Sequence, residues 1–317
     1  TCPVTRVILI LQGEFITFGA LSYAVLATGQ VPGTARLAVA MGLAAFAFDI
    51  FSARHALRLT NLLRSLLLNV GLPLAIWGLA AATASRSAPI ALNVVLALAI
   101  VASIGLSLYR LAFQPIADAS VLVLLIVAVG CHLALQGFGL VFFGAEGLRA
   151  PPISNAALTL GELRFTGQSI AVYLATIALI VGLWLFFGLT LYGKALRATA
   201  VNRLGARLVG IRTTVSGQIA FLLAALIGAL SGILIIPITT LYYDTGFLVG
   251  LKGFVAAIIG GLVSYPITAL AALLVGTVEA FSSFYASNFK EVIVFTLLLP
   301  VLLLRSLATP AVEDDHD

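Results

Sequence analysis

Charge is what this sequence has least of. Only 9% of its 317 residues are Asp, Glu, Lys or Arg, while 62% are hydrophobic. A soluble domain ordinarily carries about 25% charged residues. This chain therefore cannot cover itself with polar surface, and lipid must be its solvent. Cysteine is scarce too: Cys2 and Cys131 are too few and too far apart for a disulfide framework. The three histidines, His55, His132 and His316, are isolated from one another, and no H-E-x-x-H occurs. No metal or cofactor site is legible. No phosphate loop is present either, because Gly193-Lys194 is followed by Ala195. Without a nucleophile–base pair at a recognisable spacing, nothing points to an enzyme. A long soluble domain and a secretory signal pattern are also absent. The net charge of +5 does not imply nucleic acid, because the basic residues sit at the ends of apolar runs, as membrane orientation demands.

What the chain does have is apolar runs of about 20 residues. They lack the alternating ten-residue pattern of an outer-membrane barrel, which predicts an all-α, polytopic transmembrane bundle. Runs fall at roughly 14–28, 35–53, 62–84, 89–110, 119–143, 168–190, 214–236, 247–263, 265–284 and 290–304. The first is short enough to be a half-helix, so about 8–10 spans are expected, in one transmembrane domain covering 1–317. Breakers separate the runs, among them Pro32, Pro89, Pro115, Pro151-Pro152, Pro237 and Pro266. Gly260-Gly261, just before Tyr265-Pro266, predicts a tight hairpin or broken helix packed inside protein.

Positive charge orients the spans. Arg54, Arg58 and Arg64 mark one cytoplasmic loop, Arg110 a second, the 192–212 segment a third, and Arg305 follows the last run. Even numbers of runs separate these markers, so all four can share one side. The opposite side receives the longest polar loop, 144–168, whose charges Glu146, Arg149, Glu162 and Arg164 cancel. The acidic tail, 306–317, is expected to be disordered.

The segment Tyr192–Arg212 carries Lys194, Arg197, Arg203, Arg207 and Arg212 and no acid. Arg203 and Arg207 share one helical face, while Leu204, Leu208 and Ile211 share another. Such a helix can lie along the membrane and offer a face to a soluble partner, although many cytoplasmic loops are basic for topology alone. Within or near spans lie Glu14, Asp49, Asp118, Lys252 and Glu279, with His132 and Gln136. Ionisable groups there are candidates for function; near span ends the plainer reading is snorkelling to water, which we favour for Asp49 and Asp118. Glu14, Lys252 and Glu279, with Gly260, Gly261 and Pro266, are the pathway or packing candidates. The row of carboxylates expected of a proton-driven pump is missing.

Four segments, in order, resemble the permease subunit of branched-chain amino acid ATP-binding cassette (ABC) importers. Gln12-Gly13-Glu14-Phe15 is similar to that family's G-E-F segment, and Tyr109-Arg110-Leu111-Ala112-Phe113-Gln114-Pro115 to its E-R-L-A-x-R-P. Residues 195–202, ALRATAVN, and 206–211, ARLVGI, resemble its cytoplasmic loop. Gly250-Leu251-Lys252-Gly253-Phe254 resembles its G-L-K-A-F. The resemblance implies an inner-membrane permease domain with no catalysis of its own. It further implies a second, related permease subunit, two separate ATPase subunits docking at 192–212, and a periplasmic binding protein that delivers substrate. Departures from the pattern are visible. Tyr109 replaces an acid. The stretch from Glu14 to Arg110 exceeds the family's by about forty residues, room for an added helix pair within 55–87. Only eleven residues precede Gln12, so the family's first helix is expected to be missing from this sequence. Urea, short amides or other amino acids remain open as substrates, as do a secondary transporter and a non-transporting membrane scaffold.

Overall fold

The computed structural model describes residues 11–52, 59–84, 88–153, 157–160, 163–261, 265–297, 299–300 and 303. Outside it fall the residues before Leu11, Arg54, His55 and Arg58, the turn at Ser264, Arg305 and the 306–317 tail. The chain divides into two units, residues 1–248 and 249–317.

In the first unit, α1 (Gln12–Ala27) is the helix around which the others pack. Thirteen of its 16 residues are buried. A helix apolar on every side can only be a core helix, and Phe15, Phe18 and Tyr23 are fully enclosed. Its partners are α5 (Ile90–Leu108) and α10 (Thr213–Ile235). The α1–α10 contact is built from small residues. Gly228 and Gly232 stand four apart on one face of α10; a Cβ on Gly228 would lie 2.8 Å from Phe15 Cβ, and one on Gly232 would overlap the Ile16 carbonyl. Lipid tails supply no hydrophobic drive between helices, so close backbone approach is what holds this pair. Gln12 Nε2 donates to the Ala224 carbonyl at 3.1 Å, fixing the register.

Around this core lie α2 (Gly33–Ser52), α6 (Val121–Phe143) and α7 (Gly167–Leu189). The stretch expected to hold an added helix pair instead forms one rod among its described residues: α3 (Leu59–Leu66), a π turn (Leu67–Gly71) and α4 (Leu72–Thr83). Both junctions, Leu66 and Leu72, keep right-handed helical angles, so nothing breaks the rod. It is tied to α2 and α5 by a polar cluster. Asp49 accepts from Ser65 at 2.5 Å and pairs with Arg110 at 3.2 Å, and Arg110 also donates to Asn69 at 2.7 Å. Asp49 is thus a tie between helices rather than a snorkelling group. Tyr109, which stands where the family pattern has an acid, is buried beside Phe221, with ring centroids 5.1 Å apart.

The long polar loop is ordered at its base. Leu148 and Leu241 bridge through their backbones, Arg149 caps the carbonyls of Pro237 and Ile238, and Gln168 links Ile153 to Leu234. An antiparallel hairpin, β1 (Ala157–Leu160) with β2 (Leu163–Thr166), projects from it.

Helix α11 (Thr245–Ile259) begins in the first unit and leads into the second, which also contains α12 (Tyr265–Tyr285) and α13 (Lys290–Thr296). Among the described residues seven helical stretches are long and apolar enough to cross a membrane: Gly33–Phe51, Leu67–Ala84, Ile90–Phe113, Val121–Phe143, Gly167–Leu189, Thr213–Ile235 and Ile267–Tyr285. Two of the ten apolar runs give shorter helices, α1 with 16 residues and α11 with 15. At 1.5 Å per residue these reach about 24 Å and 22 Å, short of the roughly 30 Å hydrocarbon core. The last run is described only in part.

Candidate functional sites

The 192–212 segment folds as two capped helices. Thr190 Oγ1 accepts from the Gly193 amide at 3.0 Å and starts α8 (Leu191–Val201). Asn202 Oδ1 accepts from the Gly205 amide at 2.8 Å and starts α9 (Arg203–Leu208). These short polar side chains satisfy helix-start donors. Gly210, at φ 86°, ends α9 in a conformation that glycine adopts without strain. The inner face of α8, Gly193, Leu196 and Thr199, is buried; Leu196 packs with Ala220, and Thr199 donates to Ser216 at 3.3 Å. Two turns of sequence are thereby bolted to α10.

The basic face is engaged within the chain, although Arg207 stays exposed. Arg203 donates to the Ala117 carbonyl and lies 3.7 Å from Asp118. Arg207 reaches both Asp118 oxygens, at 3.0 and 3.2 Å, and Thr213 at 3.2 Å. Asp118, itself 70% exposed, is the acceptor that joins the 114–120 connection to α9. The face left open is apolar: Val201 is 88% exposed, Leu204 68%, Leu208 81% and Val209 76%. Lys194 and Arg197 are exposed beside it, and Ile211 is half-buried. A groove of ≈ 420 Å³ runs between Arg197, Val201, Gly205 and Val209.

Two charge centres lie among the helices. In the first unit the carboxylate of Glu14 is fully buried, 3.0 Å from His132 Nδ1 on α6. His132 is stacked on Phe247, with centroids 4.6 Å apart. Beside it Gly13 and Gly246 touch backbone to backbone: a Cβ on Gly13 would lie 2.5 Å from the Gly246 carbonyl oxygen. In the second unit Lys252 donates to Glu279 at 2.6 Å and to Glu291 at 3.1 Å. From the sequence, Lys252 and Glu279 could pair with each other or with Glu14; they pair with each other, and Glu14 lies beside His132 instead. Sequence reading missed His132 as the partner of Glu14, and Glu291 altogether. The signal for His132 was its central position in an apolar run. Gly260, after α11, faces Thr268: a Cβ there would lie 2.5 Å from Thr268 Cα. Gly261 turns the chain at φ 82°. Pro266 falls in the first turn of α12, where its missing N–H costs nothing.

Helices α8 and α9 thus form a segmented connection between the apolar helices α7 and α10. The family described as branched-chain amino acid transport system / permease component matches residues 3–303. The chain belongs to this permease family. Among its relatives is the high-affinity branched-chain amino acid transport system permease protein LivH of Escherichia coli K12, 30% identical over 231 residues, covering 68% of this chain and 74% of the relative. Another is BraD of Pseudomonas aeruginosa, also 30% identical, over 224 residues, covering 68% and 73%. No solved structure matches the chain. The chain is thus a multi-pass inner-membrane permease component rather than an enzyme.

Proposed function

We propose that this permease moves branched-chain amino acids across the inner membrane as one half of an ABC importer's pathway, driven by ATPase subunits that dock on its 192–212 loop. The observation that carries this reading is the exposed apolar face of Val201, Leu204, Leu208 and Val209, presented beside Arg203 and Arg207, which are paired within the chain. Four large apolar side chains at the cytoplasmic end of a bundle have no reason to face water unless a protein covers them. The bolting of α8 to α10 gives a mechanical route. A push on the loop is transmitted to α10, and from α10 to α1 through their glycine contact. Substrate class follows the printed names of the two relatives. The second permease, the two ATPases and a periplasmic binding protein complete the assembly in this reading.

Affinity purification tests it. The chain, co-expressed with candidate ATPases and a second permease from its own cell, should bring both down at one ATPase per permease. Recovery of this chain alone, under conditions that keep other ABC importers intact, would favour a transporter that needs no ATPase.

A further inference from the structure

Glu14 is an ionisable group in an unusual position. Its side chain is completely enclosed, yet neither carboxylate oxygen has an aligned hydrogen bond, and neither has His132 Nδ1. The two groups are 3.0 Å apart but do not point at each other as a finished ion pair would. An enclosed, ionised carboxylate without partners is costly, so Glu14 either holds a proton in this arrangement or is met by a positive group.

Its depth is fixed by its neighbours. His132 is the central residue of α6, which runs Val121–Phe143. Gln12, two residues before Glu14, bonds to Ala224, the central residue of α10, which runs Thr213–Ile235. Two spanning helices thus place Glu14 at the middle of the bilayer. Asp49, Arg110, Asp118, Arg203 and Arg207, by contrast, are paired with one another. Helix α11 begins at this level. The first turns of α1 and α11 meet at Gly13 and Gly246, and the Gly246 amide donates to Thr17 Oγ1 at 3.1 Å. Helices that start at mid-depth, around an unsatisfied charge, are how membrane transporters build a substrate station.

We propose that Glu14 is a binding residue for the α-ammonium group of the amino acid in transit, with His132 and Phe247 forming the movable wall that closes over it. A zwitterion crossing the bilayer carries a positive ammonium past its centre, where a bare charge is most costly. Glu14 supplies the counter-charge at that depth, and it is left unbonded in the closed, empty arrangement. His132, stacked on Phe247, moves with the start of α11, so opening the wall and exposing Glu14 are one motion. The inference rests on the amino acid transport proposed above.

The test uses the whole importer in proteoliposomes, with leucine-loaded binding protein as the probe and uptake expressed per assembled complex. Glu14→Gln should lower leucine uptake about tenfold or more, the cost of one charge-assisted contact in the pathway. Glu14→Asp, which keeps the charge, should recover a measurable part. Glu146→Gln, on the exposed loop, should match wild type. Wild-type uptake by assembled Glu14→Gln overturns the proposal, and so does equal loss in Glu14→Asp and Glu14→Gln. If Glu14→Gln does not assemble, the wild-type complex decides: leucine during turnover should slow dicyclohexylcarbodiimide incorporation at Glu14, and incorporation that leucine leaves unchanged, or none at all, overturns it. A wild-type complex that takes up no leucine instead faults the functional reading on which this one stands.

Discussion

Replacing Leu208 with Asp separates docking from folding. Leu208 is 81% exposed and ends α9, with Gly210 closing the turn two residues later. In the permease alone the change touches solvent only, so stability should stay within about 0.5 kcal/mol. Against an ATPase surface the same side chain is buried. Losing it forfeits about 1.5–3 kcal/mol of apolar burial, which is roughly a ten- to hundredfold fall in affinity. The carboxylate left in the contact adds a desolvation cost on top. Arg207→Glu would be a poorer choice, because Arg207 holds the Asp118 connection and its reversal disrupts the loop itself. The assay is co-purification of the ATPases with Leu208→Asp, alongside substrate-stimulated ATP hydrolysis. Normal membrane levels with lost ATPase recovery fit the account. Normal recovery and normal stimulated hydrolysis would refute it.

Further outcomes follow from the same geometry. Gly260→Leu should reduce assembly or uptake severalfold, because even a Cβ lies 2.5 Å from Thr268 Cα; wild-type expression and uptake would mean that the turn yields freely. Gly232→Leu should be worse, since it forces α10 off the Ile16 carbonyl at the centre of the bundle, and the amount of folded protein after detergent extraction checks it. Lys252→Met leaves Glu279 and Glu291 facing each other and should lower assembly; adding Glu279→Gln and Glu291→Gln should restore part of it, as measured on native gels. With Cys2 and Cys131 both replaced by Ser, cysteines at Ala200 and Ser154 should label from opposite sides of a sealed membrane, Ala200 from the cytoplasm.

Much of the helical frame was legible because spans in lipid are set by composition. The runs 119–143 and 214–236 became the helices Val121–Phe143 and Thr213–Ile235, within a residue or two of their expected ends. What composition could not reveal was depth. The first run was short enough to be a half-helix, but the level at which α11 begins depends on packing between Gly13 and Gly246, more than two hundred residues apart. The α1–α10 contact was readable in principle: Gly228-x-x-x-Gly232 is a small-residue pair at helical spacing, and it went unweighed. The basic loop shows the opposite limit. Helical spacing grouped Arg203 with Arg207 correctly but could not say which face turns inward, because Asp118 reaches them from a different loop. The candidate charges divided in the same way. Lys252 and Glu279 sit on adjacent helices and meet, whereas Glu14 and His132 are brought together only by the fold.

The most direct test of the central claim is leucine uptake into proteoliposomes that contain this chain, its partner permease and two ATPases, with binding protein outside and ATP inside. The account predicts accumulation that needs ATP, stops when any component is omitted, and is lost in Leu208→Asp. Accumulation without ATP or without the ATPases, or no accumulation by the fully assembled complex, would contradict it.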